Sequence, residues 1–244
     1  MQHKIYLYTK FIGLPQTNAG YPKIKKDFFE TDNYLEFLFS EQRISSRLIF
    51  FKELTLKSIL NQTYYNFEWI IYISNFLPQI YKDYINNIDN RIRVIEVTGE
   101  KIYNSDLIKI HVPEETNYIS CRLDDDDALC SDYFENLNKM YDANKQVIGS
   151  KNFLCVTHKK ESFFYSQTKK PWLISAGLSC KNSHIYSIGS HVNASNKYSY
   201  DVIFPNSYPC IQSGGDHTFT NRKHESSKLV FNMELYLNNK YNYD

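Results

Sequence analysis

The stretch NYISCRLDDDDALCSDYF, residues 117–134, decides the fold. An apolar segment, YISCRL, runs straight into four adjacent carboxylates, Asp124 to Asp127, and then into a second apolar pattern. Two unit charges about 4 Å apart repel by roughly 1 kcal/mol in bulk water, and by several times more where water is partly excluded. A bound cation, a helix N-terminus or plain solvation must offset that repulsion. In the helix reading, Asp126 or Asp127 caps a helix starting near Ala128, while its neighbours face water at the positive end of the dipole. A cap uses one aspartate, and the dipole rewards about two, each by less than about 1 kcal/mol. Four in a row exceed that need. Hard divalent cations take oxygen ligands, and Mg²⁺ or Mn²⁺ commonly binds through one or two carboxylates while substrate phosphates complete the shell. Both readings stay open, and the metal accounts for more of the run.

Working outward, Cys130, Tyr133, Phe134, Leu137, Met140 and Tyr141 repeat at helical spacing and predict an amphipathic helix after the carboxylates. FEWIIYIS (67–74) is a continuous apolar run of the kind a buried parallel strand shows, and RIRVIEV (91–97) is a shorter one, with a short helix between them. KIYLYT (4–9) alternates like a strand and ends in a polar loop carrying Gly13, Pro15, Gly20 and Pro22. Between Arg43 and Leu60, Ile44, Leu48, Phe51, Thr55 and Ile59 fall in one helical stripe. Arg43 and Arg47 share another face, either as ordinary solvated surface or as a pair reaching one anion. This order predicts an α/β protein whose open mixed sheet, flanked by helices, is wound by right-handed crossovers. Ligands then sit beyond the carboxyl ends of the strands, where YISCRL delivers its aspartates.

At 244 residues the chain fits a single domain, 1–244. Lys plus Arg is 28 against 27 for Asp plus Glu, a net charge of +1, so no global field draws in nucleic acid or an anionic membrane. Five cysteines, 121, 130, 155, 180 and 210, are scattered without metal-ligand spacing, which predicts reduced thiols in a cytoplasmic protein. No transmembrane segment is expected, because nowhere do about 18 apolar residues run together. The abundant tyrosines and phenylalanines predict an aromatic-rich core; a stacking surface for sugars or bases is the alternative.

The segment LTLKSILNQTYYNFEWIIYIS (54–74), through Ser58, Leu60, Gln62, Thr63, Phe67, Glu68 and Ile70, resembles the helix and strand of nucleotide-sugar glycosyltransferases with the GT-A fold, particularly inverting family 2. RLDDDDAL (122–129) resembles the Asp-x-Asp motif of that fold. With YTKF near the start and RLIFFKELTLKSILNQT, it is similar more narrowly to bacterial proteins described as rhamnosyltransferases. The resemblance covers about residues 5–140. It implies a nucleotide-sugar-binding half over about 1–130 and an acceptor-binding half over about 131–244. It also implies a metal-dependent transfer of a sugar, rhamnose in the narrower resemblance, from a nucleoside diphosphate donor to a surface glycan or lipid-linked glycan, with peripheral membrane contact through the acceptor.

By the family's pattern, Asp124 lies near the ribose or metal, and Asp126 ligates a Mn²⁺ or Mg²⁺ ion bridging the phosphates. Asp127 is a ligand or a cap, and Asp125 lies at the donor. Arg122 can offer a forked donor to phosphate or sugar oxygens, or soften the acidic cluster. Thr9 and Lys10 end the first strand, where this fold places nucleotide contacts, and Arg47 joins them. Family members commonly end the second strand with an acid that contacts the base; here Ser74 and Asn75 stand there, and Asn75 is the expected donor contact. Farther on, QSGGDHTFTNRKHE (212–225) brings two glycines before Asp216 and His217. The resemblance makes His217 the metal or diphosphate ligand and Asp216 the general base, unless the segment is a glycine turn before a capped helix. His191 is the rival histidine, and Asp201 and Glu225 are rival bases. Trp172 stacks on a sugar or packs in the core.

Two other classes compete. A two-metal phosphoryl-transfer enzyme needs further acids on neighbouring strands, where only Glu68 and Glu96 are available. A calcium- or glycan-binding module would use the acidic turn structurally, but the glycine and distal glutamate of an EF-hand loop are absent.

Overall fold

A computed structural model describes residues 2–12, 14, 32–141, 147–150, 153–159, 162–168, 175–189, 198–203 and 210–214. Its frame is a seven-stranded mixed sheet in the order β10-β6-β9-β4-β1-β2-β3. The strands are β1 (Lys4–Lys10), β2 (Phe67–Ser74), β3 (Ile92–Val97), β4 (Tyr118–Arg122), β6 (Val147–Ser150), β9 (Ser179–Lys181) and β10 (Tyr200–Ile203). β4, β1, β2 and β3 run parallel, and β9 lies antiparallel to both β4 and β6. A smaller sheet, ordered β5-β11-β7-β8, joins β5 (Ala128–Leu129), β11 (Cys210–Gly214), β7 (Phe153–Lys159) and β8 (Ser162–Thr168). The predicted α/β architecture, an open mixed sheet flanked by helices, is the one observed.

Strand periodicity divides the interior into two cores. Side chains alternate across a sheet, so Ile5 and Leu7 of β1 join Phe67, Trp69, Ile71 and Ile73 of β2 on one face. Tyr6 and Tyr8 join Ile70 and Tyr72 on the other. This double burial explains why FEWIIYIS carries no alternation in its sequence.

The first face is covered by α2 (Glu41–Phe50), a π-helical turn over Phe51–Leu56, and α3 (Lys57–Leu60), with α6 (Tyr133–Met140) beside them. The predicted helix over 43–60 is present, and its centre carries the wider π winding. Ile44, Phe51 and Ile59 of the stripe are completely buried. The second face is covered by α5 (Asn104–Ile110) and a 3-10 turn at Ile185–Ile188, contributing Leu107, Ile185, Tyr186 and Ile188. The short helix between β2 and β3 is α4 (Gln79–Asn86). α5 and α1 (Asp32–Leu38) had no counterpart in the sequence reading.

One expectation is corrected. Ala128 does not begin a helix: Ala128–Leu129 is strand β5, paired antiparallel with Cys210 and Ile211. The helix starts at Tyr133, so neither Asp126 nor Asp127 is its cap. The predicted stripe survives in shorter form, with Tyr133, Phe134 and Leu137 buried. Cys121, Cys130 and Cys180 are buried. Among the described residues, no helix is long and apolar enough to cross a membrane.

Candidate functional site

The carboxyl ends of β1, β2 and β4 share one edge of the sheet, and the acidic run leaves β4 there. Asp124 to Asp127 form a tight turn closed by the Asp127 N–H donating to the Asp124 carbonyl at 3.1 Å. The turn separates the four side chains by environment. Asp124 keeps 40% of its side-chain surface exposed, whereas Asp125, Asp126 and Asp127 are buried.

Asp125 points inward and is completely buried. Its carboxylate accepts from the Ile12 backbone N–H and forms a close ion pair with Arg47. Arg47 also reaches Asp126 Oδ2 at 3.1 Å. Burial pushes the Asp125 carboxyl up, and Arg47 opposes the shift without cancelling it. Arg43, one turn before Arg47, donates to the carbonyls of Ile12 at 2.7 Å and Leu38 at 2.8 Å. The reading of Arg43 and Arg47 as solvated surface is therefore wrong: both are buried, and both lock α2 to the ends of β1 and β4. Ile12 sits at φ 60°, a left-handed conformation rare for a β-branched residue, and is held there at both its N–H and its carbonyl.

Asp124 is braced from two sides. Arg122 Nη2 lies 3.2 Å from its Oδ1, and the Ser175 hydroxyl donates to its Oδ2 at 3.0 Å. Burial raises its pKa, but Arg122 and Ser175 more than compensate against the charge of Asp126, leaving it below the usual carboxylate value. The bracing segment is zipped to β4: Arg122 N–H donates to Leu178 O and Gly177 N–H to Arg122 O, each at 2.9 Å. Gly177 takes φ +74° directly over Tyr133, whose hydroxyl donates to its carbonyl at 2.9 Å.

Lys10 ends β1 on the face opposite Thr9. Its amine donates to Asn104 Oδ1 at 2.8 Å and lies 4.5 Å from the centre of the Tyr186 ring. Burial and the charge of Arg122 pull it down to about 7, against the pull of Asp124. The Arg122 guanidinium lies 5.9 Å from the same ring, and its Nε is buried with no partner among the described residues. Thr9 faces the first core, completely buried, where its hydroxyl accepts from Trp69 Nε1 at 2.9 Å. Asn75, just past β2, accepts from the Gly99 N–H through Oδ1 at 3.2 Å and from Lys82 through its carbonyl at 3.0 Å, tying down the loop after β3.

The structure thus brings Lys10, Arg47, Arg122 and the four aspartates together, with Asn75 on the same edge. Thr9 and Asp125 are closed inside it. Asp216, His217, His191, Trp172 and Glu225 lie outside the described residues, and Asp201 falls on β10, at the edge of the sheet. The sequence reading missed Ser175, Tyr186 and Asn104. Their only signal is spatial: Ser175 meets Asp124 from 51 positions away and Asn104 meets Lys10 from 94.

Ser58 and Gln62, read as marks of resemblance, prove to be the mount of the acidic turn. Gln62 Nε2 donates to Ser58 O at 2.9 Å and Cys130 O at 2.8 Å, and its Oε1 accepts from the Phe134 N–H at 3.1 Å. Every heavy polar atom of that buried amide is used. Helix α3 thereby grips the chain just after the carboxylates, and Thr63 N–H adds a bond to Ser131 O at 2.8 Å.

As a place for a divalent cation the edge fits in chemistry. Its donors are carboxylate oxygens, Asp124 is open, and Asp126 lies close enough to feel its charge. Among the described residues no three His, Cys, Asp or Glu side chains gather around one point. Mg²⁺ and Mn²⁺ do not require that, because one or two carboxylates suffice when phosphates supply the rest.

No protein with a curated description matches this sequence. Among solved structures, Staphylococcus aureus TarS 1-349 in complex with UDP is similar over 86% of this chain and 60% of that one, at 11% identity and a TM-score of 0.45. The glycosyltransferase GlyE of Streptococcus pneumoniae is similar over 84% and 46%, at 11% identity and TM-score 0.36. The inositol-1-phosphate CTP transferase of T. maritima is similar over 87% and 90%, at 10% and 0.40. The chain spans about three-fifths of the TarS 1-349 chain it matches. The family described as "Putative rhamnosyl transferase" matches residues 17–228. That span takes in the acidic turn, its Arg47 anchor and its Gln62 mount, and on it the chain belongs to this glycosyltransferase family.

Proposed function

We propose that this protein is a metal-dependent, inverting glycosyltransferase of the cytoplasm that moves rhamnose from a nucleoside diphosphate donor to a surface glycan or a lipid-linked glycan. The observation that carries the reading is the divided acidic turn: one carboxylate, Asp124, open at the sheet edge and flanked by cations, with its neighbours buried behind it. In the transfer, the acceptor hydroxyl oxygen forms a bond to the anomeric carbon. The bond from that carbon to the diphosphate oxygen breaks, and its electron pair leaves on the diphosphate.

Charge accumulates on the leaving group, and the chain's part is to bind and orient it. Asp124 and Asp126, with Asp127 beside them, would hold Mn²⁺ or Mg²⁺, which supplies charge neutralisation at the phosphates when bound. Arg122 and Lys10 offer hydrogen bonds to phosphate oxygens. Arg47, Asp125 and Thr9 keep the edge in shape, and Asn75 borders the donor. Asp216 is assigned as the base that takes the acceptor proton and His217 as the further ligand, both on the sequence resemblance. The two halves of the domain, about 1–130 and 131–244, would take donor and acceptor respectively.

The competing classes are less well supported. A calcium site wants six to eight oxygens, and here Asp124, Asp125 and Asp126 already face arginines. For a two-metal phosphoryl-transfer centre, Glu96 is engaged with Lys82 and Glu68 faces Arg93, away from the acidic turn.

The test is a panel of nucleoside diphosphate sugars, with and without Mn²⁺, scored by mass spectrometry for donor consumption. Manganese-dependent consumption of a dTDP-linked sugar, lost in Asp124→Asn and Asp126→Asn, is the expected result. Consumption that persists in chelator or in both variants would overturn the metal assignment, and consumption of no donor would overturn the transferase reading.

A further inference from the structure

We infer that the amino-terminal rim of the large sheet carries a second binding site, a cleft formed by Lys4, Glu68, Asn90 and Arg93 beside Tyr65 that takes a neutral, hydroxyl-rich glycan. That this glycan is a length of the acceptor, trailing from its reacting end, rests on the transferase reading; the glycan site itself does not.

The cleft has a volume of about 260 Å³ and lies where β1, β2 and β3 begin. β1 runs from Lys4 to Lys10. At about 3.3 Å per residue, the cleft is roughly 20 Å from the carboxyl ends that carry the acidic turn. Register sets its lining. Tyr6 stands opposite Glu68 and Ile70 opposite Arg93, and side chains alternate along each strand, so Lys4, Glu68 and Arg93 project from one face of the sheet. Phe67 and Ile92 close the cleft from the other face, where they pack in the first core. Arg91 is a fixed wall: its Nε donates to Asp89 Oδ1 at 2.9 Å and its Nη2 to Oδ2 at 3.1 Å, with the guanidinium 5.7 Å from the centre of the Phe67 ring. Tyr65 stands beside Arg91 with 76% of its surface exposed.

The polar groups of this cleft are left over from folding. Among the described residues the side chains of Lys4 and Asn90 make no hydrogen bond, and Arg93 meets Glu68 only at 3.9 Å, too far for one. Lys4 and Arg93 donate, Glu68 accepts, and the Asn90 amide does both. Sugar hydroxyls, each a donor and an acceptor, match so mixed a set; an ionised phosphate or carboxylate, which only accepts, does not. The charges agree. Lys4, Arg91 and Arg93 are set against Glu68 and Asp89, and Glu114 and Glu115 lie near Tyr6 on the Lys4 side. Little positive field remains to hold an anion. An exposed tyrosine alone signifies nothing. Next to four idle polar side chains, the Tyr65 ring supplies a flat apolar platform on which the C–H face of a pyranose can rest.

The experiment uses the full chain and a panel of neutral gluco-, manno- and rhamno-oligosaccharides, from disaccharide to octasaccharide, with inorganic phosphate and polyglutamate as anionic comparisons. Saturation-transfer NMR finds the binders and titration calorimetry measures them. At least one neutral oligosaccharide should bind, and neither anion should displace it. Tyr65→Ala and Asn90→Ala should each weaken that binding by about tenfold. Both are surface changes, so their melting temperatures should stay near wild type. Binding by no member of the panel, affinity unchanged in either variant, or displacement by phosphate or polyglutamate would overturn the glycan site. If binding behaves as stated and no sugar donor is consumed, the transferase reading falls alone. If donors are consumed and both variants bind oligosaccharide as wild type does, the glycan site falls alone.

Discussion

Arg47 and Asp125 stand 78 positions apart in sequence and form an ion pair with almost no solvent contact. The pair joins helix α2 to the turn after β4, and Asp126 extends it at 3.1 Å. Removing one partner of such a pair leaves a buried charge uncompensated and costs about 3–5 kcal/mol. Arg47→Met should therefore lower unfolding stability by that amount in urea titration. Arg47→Met combined with Asp125→Leu should lose less than Arg47→Met alone, because the stranded carboxylate has gone.

The Gln62 amide makes three hydrogen bonds that an apolar isostere cannot. Gln62→Leu strands the Phe134 N–H inside the protein, at about 1–3 kcal/mol, while the Cys130 carbonyl keeps the Tyr133 N–H. The same variant frees the chain after the acidic turn, so Mn²⁺ should raise its melting temperature by less than it raises that of wild type.

Gly177 admits no side chain. A Cβ there would lie 2.3 Å from the Tyr133 hydroxyl and 2.5 Å from its Cζ, at a φ of +74°. Gly177→Ala should destabilise by about 2–4 kcal/mol, measured by chemical denaturation. Adding Tyr133→Phe should not rescue it, since the ring carbon remains in the way.

Lys10 titrates near 7 because burial and Arg122 disfavour its charge; in an unfolded chain the amine titrates near 10.4. Between these values the unfolded state binds more protons than the native one, so this group's contribution to stability rises with pH across that interval. Anion binding follows the opposite trend. Pyrophosphate affinity should fall as pH is raised from about 6 to about 8.5, and the slope should flatten in Lys10→Met.

His184 is lowered to about 4 by burial and then by the neighbouring His111, and its neutral Nδ1 caps the turn that carries Tyr186. The unfolded chain takes up a proton near 6.5 that the native state refuses. Stability should therefore decline as pH falls from about 6.5 towards 4, and a urea midpoint that did not move over that range would contradict the buried neutral state.

Much of this architecture was legible from residue patterns. FEWIIYIS reads as a buried strand, and the helical stripes at 44–59 and 130–141 indicate the helices that cover one of its faces, the second of them starting only at Tyr133. The place of the acidic run just past the end of a strand is the one its sequence context indicates. What local pattern could not show was how the four aspartates divide their work. That depends on Arg47 arriving from a helix far upstream and on Ser175 arriving from far downstream. Arg43 and Arg47 looked like solvated surface because periodicity reports which residues share a face and not whether another element covers it. The supposed cap failed for a related reason: Ala128 and Leu129 find a strand partner in Cys210 and Ile211, a non-local pairing that overrides helical propensity.

The wider winding at Phe51–Leu56 sets the azimuth of the arginines. Each residue of an α-helix advances the chain by about 100°. Deleting one residue from this segment would make the helix regular, and would swing everything before it through roughly that angle relative to α3. Arg43 and Arg47 would then sweep away from the strand ends, and the acidic turn would lose its counter-charge while the strands kept their register. The wider winding thus acts as a phase adjustment between the arginines of α2 and the helical end that follows it.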